Sequence, residues 1–348
     1  MLRAARARRI AAATAFGGGG LTLVGAGTLA LLYLQALLAR RAVGVTEWER
    51  PVVNGLHGQG AGPPIRMLMM GDSTAAGFAV QTAAQTPAVL LATGLSNAAE
   101  RPVRLRCTAF PGATSATLAG QAERSGALAE STRYDVAVVF IGANDVIRRV
   151  RPTDAVAALR DTVRDLVERG TQVVVATCPD LGTVRPIGWP LRSVARRASR
   201  QLAAAQTIAV TEAGGRTVSL SDVLADDFLS DPSLMFGPDR FHPSARGYSQ
   251  AAFAVLPSVC TALGLLPETS ALPAAGILPV DRAAVVAAET PGTEVSAAGD
   301  PAQGRRGRWS ALVRRPLAGL RGPAGHREPV PADTGGPVED ARPEPGDR

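Results

Sequence analysis

The chain has no lysine, three cysteines and three histidines in 348 residues. Without lysine there can be no G-K-[ST] turn, so a P-loop is excluded. Three cysteines cannot build a four-cysteine zinc site or the framework of a small disulfide-stapled domain. A mixed zinc cage would have to gather most of Cys107, Cys178, Cys260, His57, His242 and His326, which are scattered along the chain. Two-metal phosphoesterase sites use more histidines than this. No metal and no cofactor are therefore expected, and no dinucleotide fingerprint follows the first candidate strand. What is present is apolar: 46% of residues, enough for a true core.

The net charge of +7 would suit a nucleic-acid partner if it lay on the globular part. It does not. Residues 1–50 hold seven Arg against two acids, residues 51–272 twenty against eighteen, and residues 273–348 ten of each. The excess flanks an apolar run, Ile10 to Ala39, that carries no charge. Its densest part, Leu21 to Leu38, has the length of a bilayer-crossing helix. Arg3, Arg6, Arg8 and Arg9 precede it, and Arg40 and Arg41 follow. No clear small-residue cleavage site ends the run, so an uncleaved anchor over residues 1–41 is expected. The Arg bias places the N-terminus inside the cytoplasmic membrane and the rest outside it, on a single-pass topology. No nucleic-acid partner is expected.

Residues 42–64 are rich in Gly and read as a linker, with His57 solvated. From Ile65, strands and helices alternate. Ile65–Met70, Val103–Cys107, Asp135–Ile141, Gln172–Thr177 and Arg216–Leu220 are strand candidates. The clearest helix follows Thr153 as N-cap, with Val156, Leu159, Val163 and Leu166 on one face and Gly170 at its end. Pro190 to Ala213 and Ser244 to Leu263 are further helices. This alternation predicts an α/β domain over 65–268, a five-stranded parallel, doubly wound, flavodoxin-like sheet covered on both faces. Residues 269–348 are Pro- and Gly-rich and read as a largely disordered tail. Within it, 305–321 mixes six Arg with Trp309, Leu312, Val313, Leu317 and Leu320. That segment is either a solvated basic stretch or a short helix on an anionic membrane surface.

Ligands of an open parallel sheet bind at the carboxyl ends of its strands. Gly71-Asp72-Ser73-Thr74 follows the first strand, Phe110-Pro111-Gly112 the second, Gly142-Ala143-Asn144-Asp145 the third, and Asp239-Arg240-Phe241-His242 comes after the fifth. The winding thus brings Ser73, Gly112, Asn144, Asp239 and His242 to one edge. Those are the parts of a serine hydrolase: a nucleophile, oxyanion donors, a base and its orienting acid. A Ser hydroxyl is a poor nucleophile until an imidazole takes its proton, and a carboxylate fixes the tautomer that can do so. Asp239 and His242 are close enough in sequence for one turn to hold both. Asp72 and Asp145 read as loop-holding residues, and the three thiols as buried and unpaired. Trp189 and Phe241 could line an acyl pocket or simply pack.

Taken together, these blocks resemble the SGNH/GDSL hydrolase family, here read as a bacterial enzyme behind a membrane anchor. G-D-S stands at 71–73, the glycine at 112, G-x-N-D at 142–145 and D-x-x-H at 239–242. The resemblance covers roughly residues 65–265 and implies a three-layer α/β/α fold. It also implies Ser73 as nucleophile, His242 as base and Asp239 as its partner. The oxyanion hole would be the backbone N–H groups of Ser73 and Gly112 with the Asn144 amide. The expected activity is hydrolysis of small acyl or O-acetyl esters, the partner a small ester or an acylated cell-envelope substrate. Acyl transfer by the same Ser73, or a non-catalytic binding module on the same fold, are the alternatives. An α/β-hydrolase does not fit, because its G-x-S-x-G sits late in the sheet with Asp and His far apart.

Overall fold

The structure is a computed structural model. It describes residues 28, 30–38, 48–129, 132–184, 186–220, 228, 230–266, 277–289, 293–297 and 309–314. All of these lie in one compact unit, Met1–Pro316.

In chain order the elements are β1 (Gly55–His57), β2 (Ile65–Gly71), α1 (Ser73–Ala76), α2 (Pro87–Ala99), β3 (Val103–Cys107), α3 (Leu118–Ser125), β4 (Val136–Phe140), α4 (Ala143–Ile147), α5 (Pro152–Glu168), β5 (Gln172–Ala176), α6 (Leu191–Glu212), β6 (Arg216–Val218), α7 (Pro232–Met235), α8 (Ala245–Ala262), β7 (Ile277–Pro279), α9 (Val280–Glu289), β8 (Thr293–Ala297) and β9 (Trp309–Arg314). The sheet order is β1-β3-β2-β4-β5-β6-β8-β9-β7. Its centre, β3-β2-β4-β5-β6, is wholly parallel, and it matches the five strands expected from sequence. Each strand of this centre winds to the next through a helix, and the helices cover both faces.

The two faces divide cleanly by alternation. Met67, Met69, Val138 and Phe140 point to one side, against Leu91 and Leu95 of α2 and Val255 and Val259 of α8. Leu68, Met70, Ala137 and Val139 point to the other, against Leu118 of α3, Leu159 and Val163 of α5 and Val210 of α6. Every residue of β4 is buried, as expected of a central parallel strand. The fold is three-layer α/β/α.

Three expectations need correction. The sheet has nine strands among the described residues and is mixed, because antiparallel strands extend both edges. The linker reading fails for β1, which pairs with β3; there His57 Nε2 bonds Val53 O at 2.8 Å and is not simply solvated. The disordered-tail reading fails for 277–289 and 293–297. There α9 lies against α6, and β8 pairs with β6 through Thr217↔Val295. Residues 309–314 form β9, paired with β7 and β8, so no surface helix spans them. The domain therefore extends past residue 268. His326 and the rest of 315–348 lie outside the described residues.

The helix starts differ in one place. Arg151 occupies the N-cap position of α5 without a side-chain capping bond, and Pro152 takes N1, where its missing N–H has no helical partner to lose; Thr153 is not the cap. Ser244 does cap α8, its Oγ accepting from Gly247 N–H at 3.2 Å. Of the expected membrane anchor, only residue 28 and residues 30–38 are described, and they are helical. No helix among the described residues is long and apolar enough to cross a membrane.

Candidate active site

The site begins where β2 ends. A Cβ on Gly71 would stand 2.0 Å from Phe140 O, so only glycine lets β2 and β4 meet there. Gln121 of α3 clamps the same residue, accepting from Gly71 N–H at 2.8 Å and donating to Gly71 O at 3.0 Å. The chain then turns sharply. Asp72 caps α1 by accepting from Thr74 N–H at 2.8 Å. That leaves Ser73 as the first residue of α1, almost buried at 8% exposure.

His242 reaches this serine from the far end of the chain. Its Nε2 is 2.9 Å from Ser73 Oγ and its Nδ1 is 2.5 Å from Asp239 Oδ2. Asp239 is itself fixed. Its Oδ1 accepts from the N–H groups of Phe241 at 3.0 Å and His242 at 2.9 Å. Burial pushes the Asp239 carboxyl up, but the His242 bond and charge and the two amide donors outweigh it, and the net shift is downward. An ionised carboxylate can only accept, so Nδ1 carries the proton and Nε2 is left to accept from Ser73.

Asp72 and Asp145 hold loops, as expected. Asp145 accepts from Ser115 N–H at 3.1 Å and Ser115 Oγ at 3.0 Å, tying the Asn144 block to the loop after Gly112. Phe110 N–H donates to Gly71 O, tying that loop to the end of β2. Burial pushes the Asp72 carboxyl up to about 6 and raises that of Asp145 as well.

Ser73, Asn144 and His242 line one narrow cavity of ≈ 80 Å³. Its wall is apolar, with Phe140, Ala176, Leu220, Phe228, Phe236 and Phe241. Its polar rim includes Asp180, which caps Gly182 N–H at 2.7 Å and bonds Arg196 and Arg200 at 3.0 Å each. Gly112 is not among the lining residues. It sits at φ +81° with the Arg148 guanidinium over it. The structure thus gathers Ser73, Asn144 and His242 around one space, with Asp239 bonded to His242 behind it, and places the Gly112 loop beside it by hydrogen bonds.

Of the two aromatic candidates, Phe241 lines the cavity and Trp189 does not; Trp189 is 78% exposed. Sequence reasoning missed Phe78 and Trp48. Phe78 stacks at 4.4 Å on the His242 ring, Phe241 meets that ring edge-on at 4.9 Å, and Trp48 backs Phe78 at 4.8 Å. Tyr248 Oη holds Phe78 O at 2.8 Å. No local signal marks Phe78, and Trp48 stands within 42–64, the stretch read as a linker. All three cysteines are buried and free, and no three metal-ligating side chains converge among the described residues.

The GDSL-like Lipase/Acylhydrolase family matches residues 69–250, a span holding all four motif blocks. The GDSL-like esterase Rv1075c of Mycobacterium tuberculosis is 39% identical over 232 residues, covering 64% of this chain and 73% of that protein. Among solved structures, Axe2, an acetylxylan esterase from Geobacillus stearothermophilus, aligns with a TM-score of 0.42 at 19% identity, over 59% of this chain and 95% of that one. TesA aligns with a TM-score of 0.43 at 21% identity, over 58% and 99%.

Proposed function

The chain belongs to the GDSL-like lipase/acylhydrolase family and is an ester-hydrolysing serine hydrolase, and from that premise we propose that it works through an acyl-enzyme on Ser73. The observation that carries this reading is the unbroken chain Ser73 Oγ–His242–Asp239. His242 Nε2 takes the Ser73 proton as Oγ attacks the ester carbonyl. Asp239 stabilises the imidazolium without taking its proton. The developing oxyanion is held by the N–H groups of Ser73 and Gly112 and by the Asn144 amide. His242 then hands its proton to the departing alcohol. Water attacks the acyl-enzyme by the same route in reverse, and Ser73 is restored.

The substrate is a small acyl or O-acetyl ester. A water-sized group takes roughly 10–15 Å³ of such a space, so ≈ 80 Å³ holds only a short acyl chain. The apolar wall favours an alkyl group over a charged one. A panel of esters from acetyl to long chain tests this; rates should peak at short chains and fall steeply beyond them. A flat profile would contradict it. Adding an alcohol to the same assay tests where the acyl group goes. Free acid as the main product supports hydrolysis, and a transacylated product would make the protein a transferase.

For location, the reading rests on sequence alone. The uncharged run from Ile10 to Ala39 and its Arg flanks support a single anchor in the cytoplasmic membrane, with the catalytic domain outside. An acylated cell-envelope component would then be within reach. Protease added to intact cells should remove the domain; protection until lysis would place it inside.

A further inference from the structure

A second concave site lies on the other side of the Phe110 loop. It is an open hollow of ≈ 420 Å³ between the segment carrying Arg50 and Asn54, the carboxyl end of β3 with Arg106 and Thr108, and Arg124 at the last turn of α3. We propose that it binds a phosphate-class oxyanion, and that the ester substrate carries such a group on its alcohol portion. The second half of this rests on the esterase reading; the first does not.

The hollow presents donors and almost no acceptors. Arg50, Arg106 and Arg124 line it, and none forms an ion pair among the described residues. Elsewhere buried carboxylates claim their arginines, as Asp180 does Arg196 and Arg200, and Glu294 does Arg216. Here Arg50 has only the Cys107 sulfur at 3.5 Å, a weak and uncharged acceptor. Arg124 lies over the Phe110 ring at 5.5 Å, which orients the guanidinium without neutralising it. Asn54 spends its carbonyl on Cys107 N–H at 2.7 Å, so the amide end left over is a donor. Thr108 adds a hydroxyl that is buried and has no hydrogen-bond partner. Three positive charges lining one concavity repel each other unless an anion joins them. Guanidinium groups match the oxygens of phosphate two at a time, which a single carboxylate could satisfy for only one of them.

The position ties this hollow to Ser73. Thr108 N–H donates to Met69 O and Phe110 N–H to Gly71 O, so the floor of the hollow is bonded to the last turns of backbone before the serine. An ester seated with its acyl group in the cavity at Ser73 would extend its alcohol portion across the Phe110 loop. An anion at the far end of that portion is held by binding energy remote from the reacting bond.

The test uses the full chain and Arg106→Gln. The Arg106 side chain makes no hydrogen bond or ion pair among the described residues, so this change removes charge and leaves the β3 backbone pairing in place. Inorganic phosphate, titrated calorimetrically, should bind saturably, weaken as NaCl rises, and bind about tenfold more weakly to Arg106→Gln. No saturation below about 10 mM phosphate, or equal binding by both proteins, overturns the site. The second arm compares hydrolysis of monoacetylglycerol with that of its phosphate monoester. Arg106→Gln should raise KM about tenfold for the phosphorylated ester and leave the neutral ester unchanged. An equal effect on both esters overturns the substrate half. Saturable phosphate binding by a chain that hydrolyses neither ester would sustain the site and contradict the esterase reading instead.

Discussion

Ser73 Oγ lies 2.9 Å from His242 Nε2, although 169 residues separate them. Only the doubly wound sheet, with α8 folded back against α2, brings the two ends together. Replacing either by Ala should abolish nearly all esterase activity while the urea midpoint stays close to that of the parent. Asp239→Asn is the finer probe. Asn can still accept from Phe241 and His242 N–H, so the turn survives, but it can present a donor to Nδ1 and favour the wrong tautomer. Turnover should fall by about 10⁴. Near-normal turnover would remove Asp239 from the mechanism. Asp231 could not replace it, because it is engaged in capping α7.

Asn144→Ala should lower kcat about 10²–10³-fold with little change in KM, the usual loss for one oxyanion donor. Gly112→Ala should act on both stability and rate. At φ +81° an alanine costs about 1 kcal/mol, and its Cβ would meet Arg148 Nη2 at 2.8 Å, which the mobile end of that side chain can relieve. Urea melts and steady-state kinetics read the two effects separately. Full turnover in Asn144→Ala would strike Asn144 from the oxyanion set; Gly112→Ala keeps its N–H, and a rate loss there would report displacement of that donor.

Asp72 gives a pH dependence of stability. Its folded carboxyl titrates at about 6 against 3.8 ordinarily, chiefly because burial disfavours the charge. The folded protein therefore binds this proton more tightly than the unfolded chain. Stability contributed by the protonated form is complete below about pH 4 and is lost as pH rises to about 6. Asp72→Asn keeps the acceptor for Thr74 N–H and has no proton to lose. The stability difference between variant and parent should move in the variant's favour across pH 4–6, by an amount on the order of 3 kcal/mol, and then level off. A constant difference across that range would contradict the account.

Beyond residue 268, Glu294 of β8 is buried at 2% exposure, 3.0 Å from Arg216 and bonded to Ser258 Oγ at 2.8 Å. Glu294→Ala removes the buried carboxylate that bonds Arg216 and Ser258 and should destabilise by about 3 kcal/mol. Activity per folded molecule should be unchanged, since neither residue lines the cavity at Ser73. A thermal melt unmoved by the change would mean that β8 does not complete the sheet in solution.

Much of this was legible from sequence, for a physical reason. Central parallel strands are buried on both faces, so runs such as VAVVF and QVVVA announce themselves. The Ser73, Gly112 and Asn144 blocks were legible because each follows the end of such a strand, and Asp239–His242, well past β6, by its D-x-x-H spacing. The edge strands were not. β1 and β7 are three residues long, and β8, TEVSA, carries a glutamate that partners distant in sequence, Arg216 and Ser258 among them, make tolerable in the interior. A single sequence shows the charge and not its partner. Phe78 and Trp48 were missed for the same kind of reason, since the contact of Phe78 with His242, and of Trp48 with Phe78, exists only in the folded chain.

The central claim is that Ser73 is the activated nucleophile. A fluorophosphonate that phosphorylates activated serines, followed by peptide mass mapping, tests it most directly. The account predicts one label, on Ser73, formed in step with loss of esterase activity and absent in His242→Ala. Hydrolysis that persists with Ser73 unlabelled, or a label on another serine that stops it, would contradict the account.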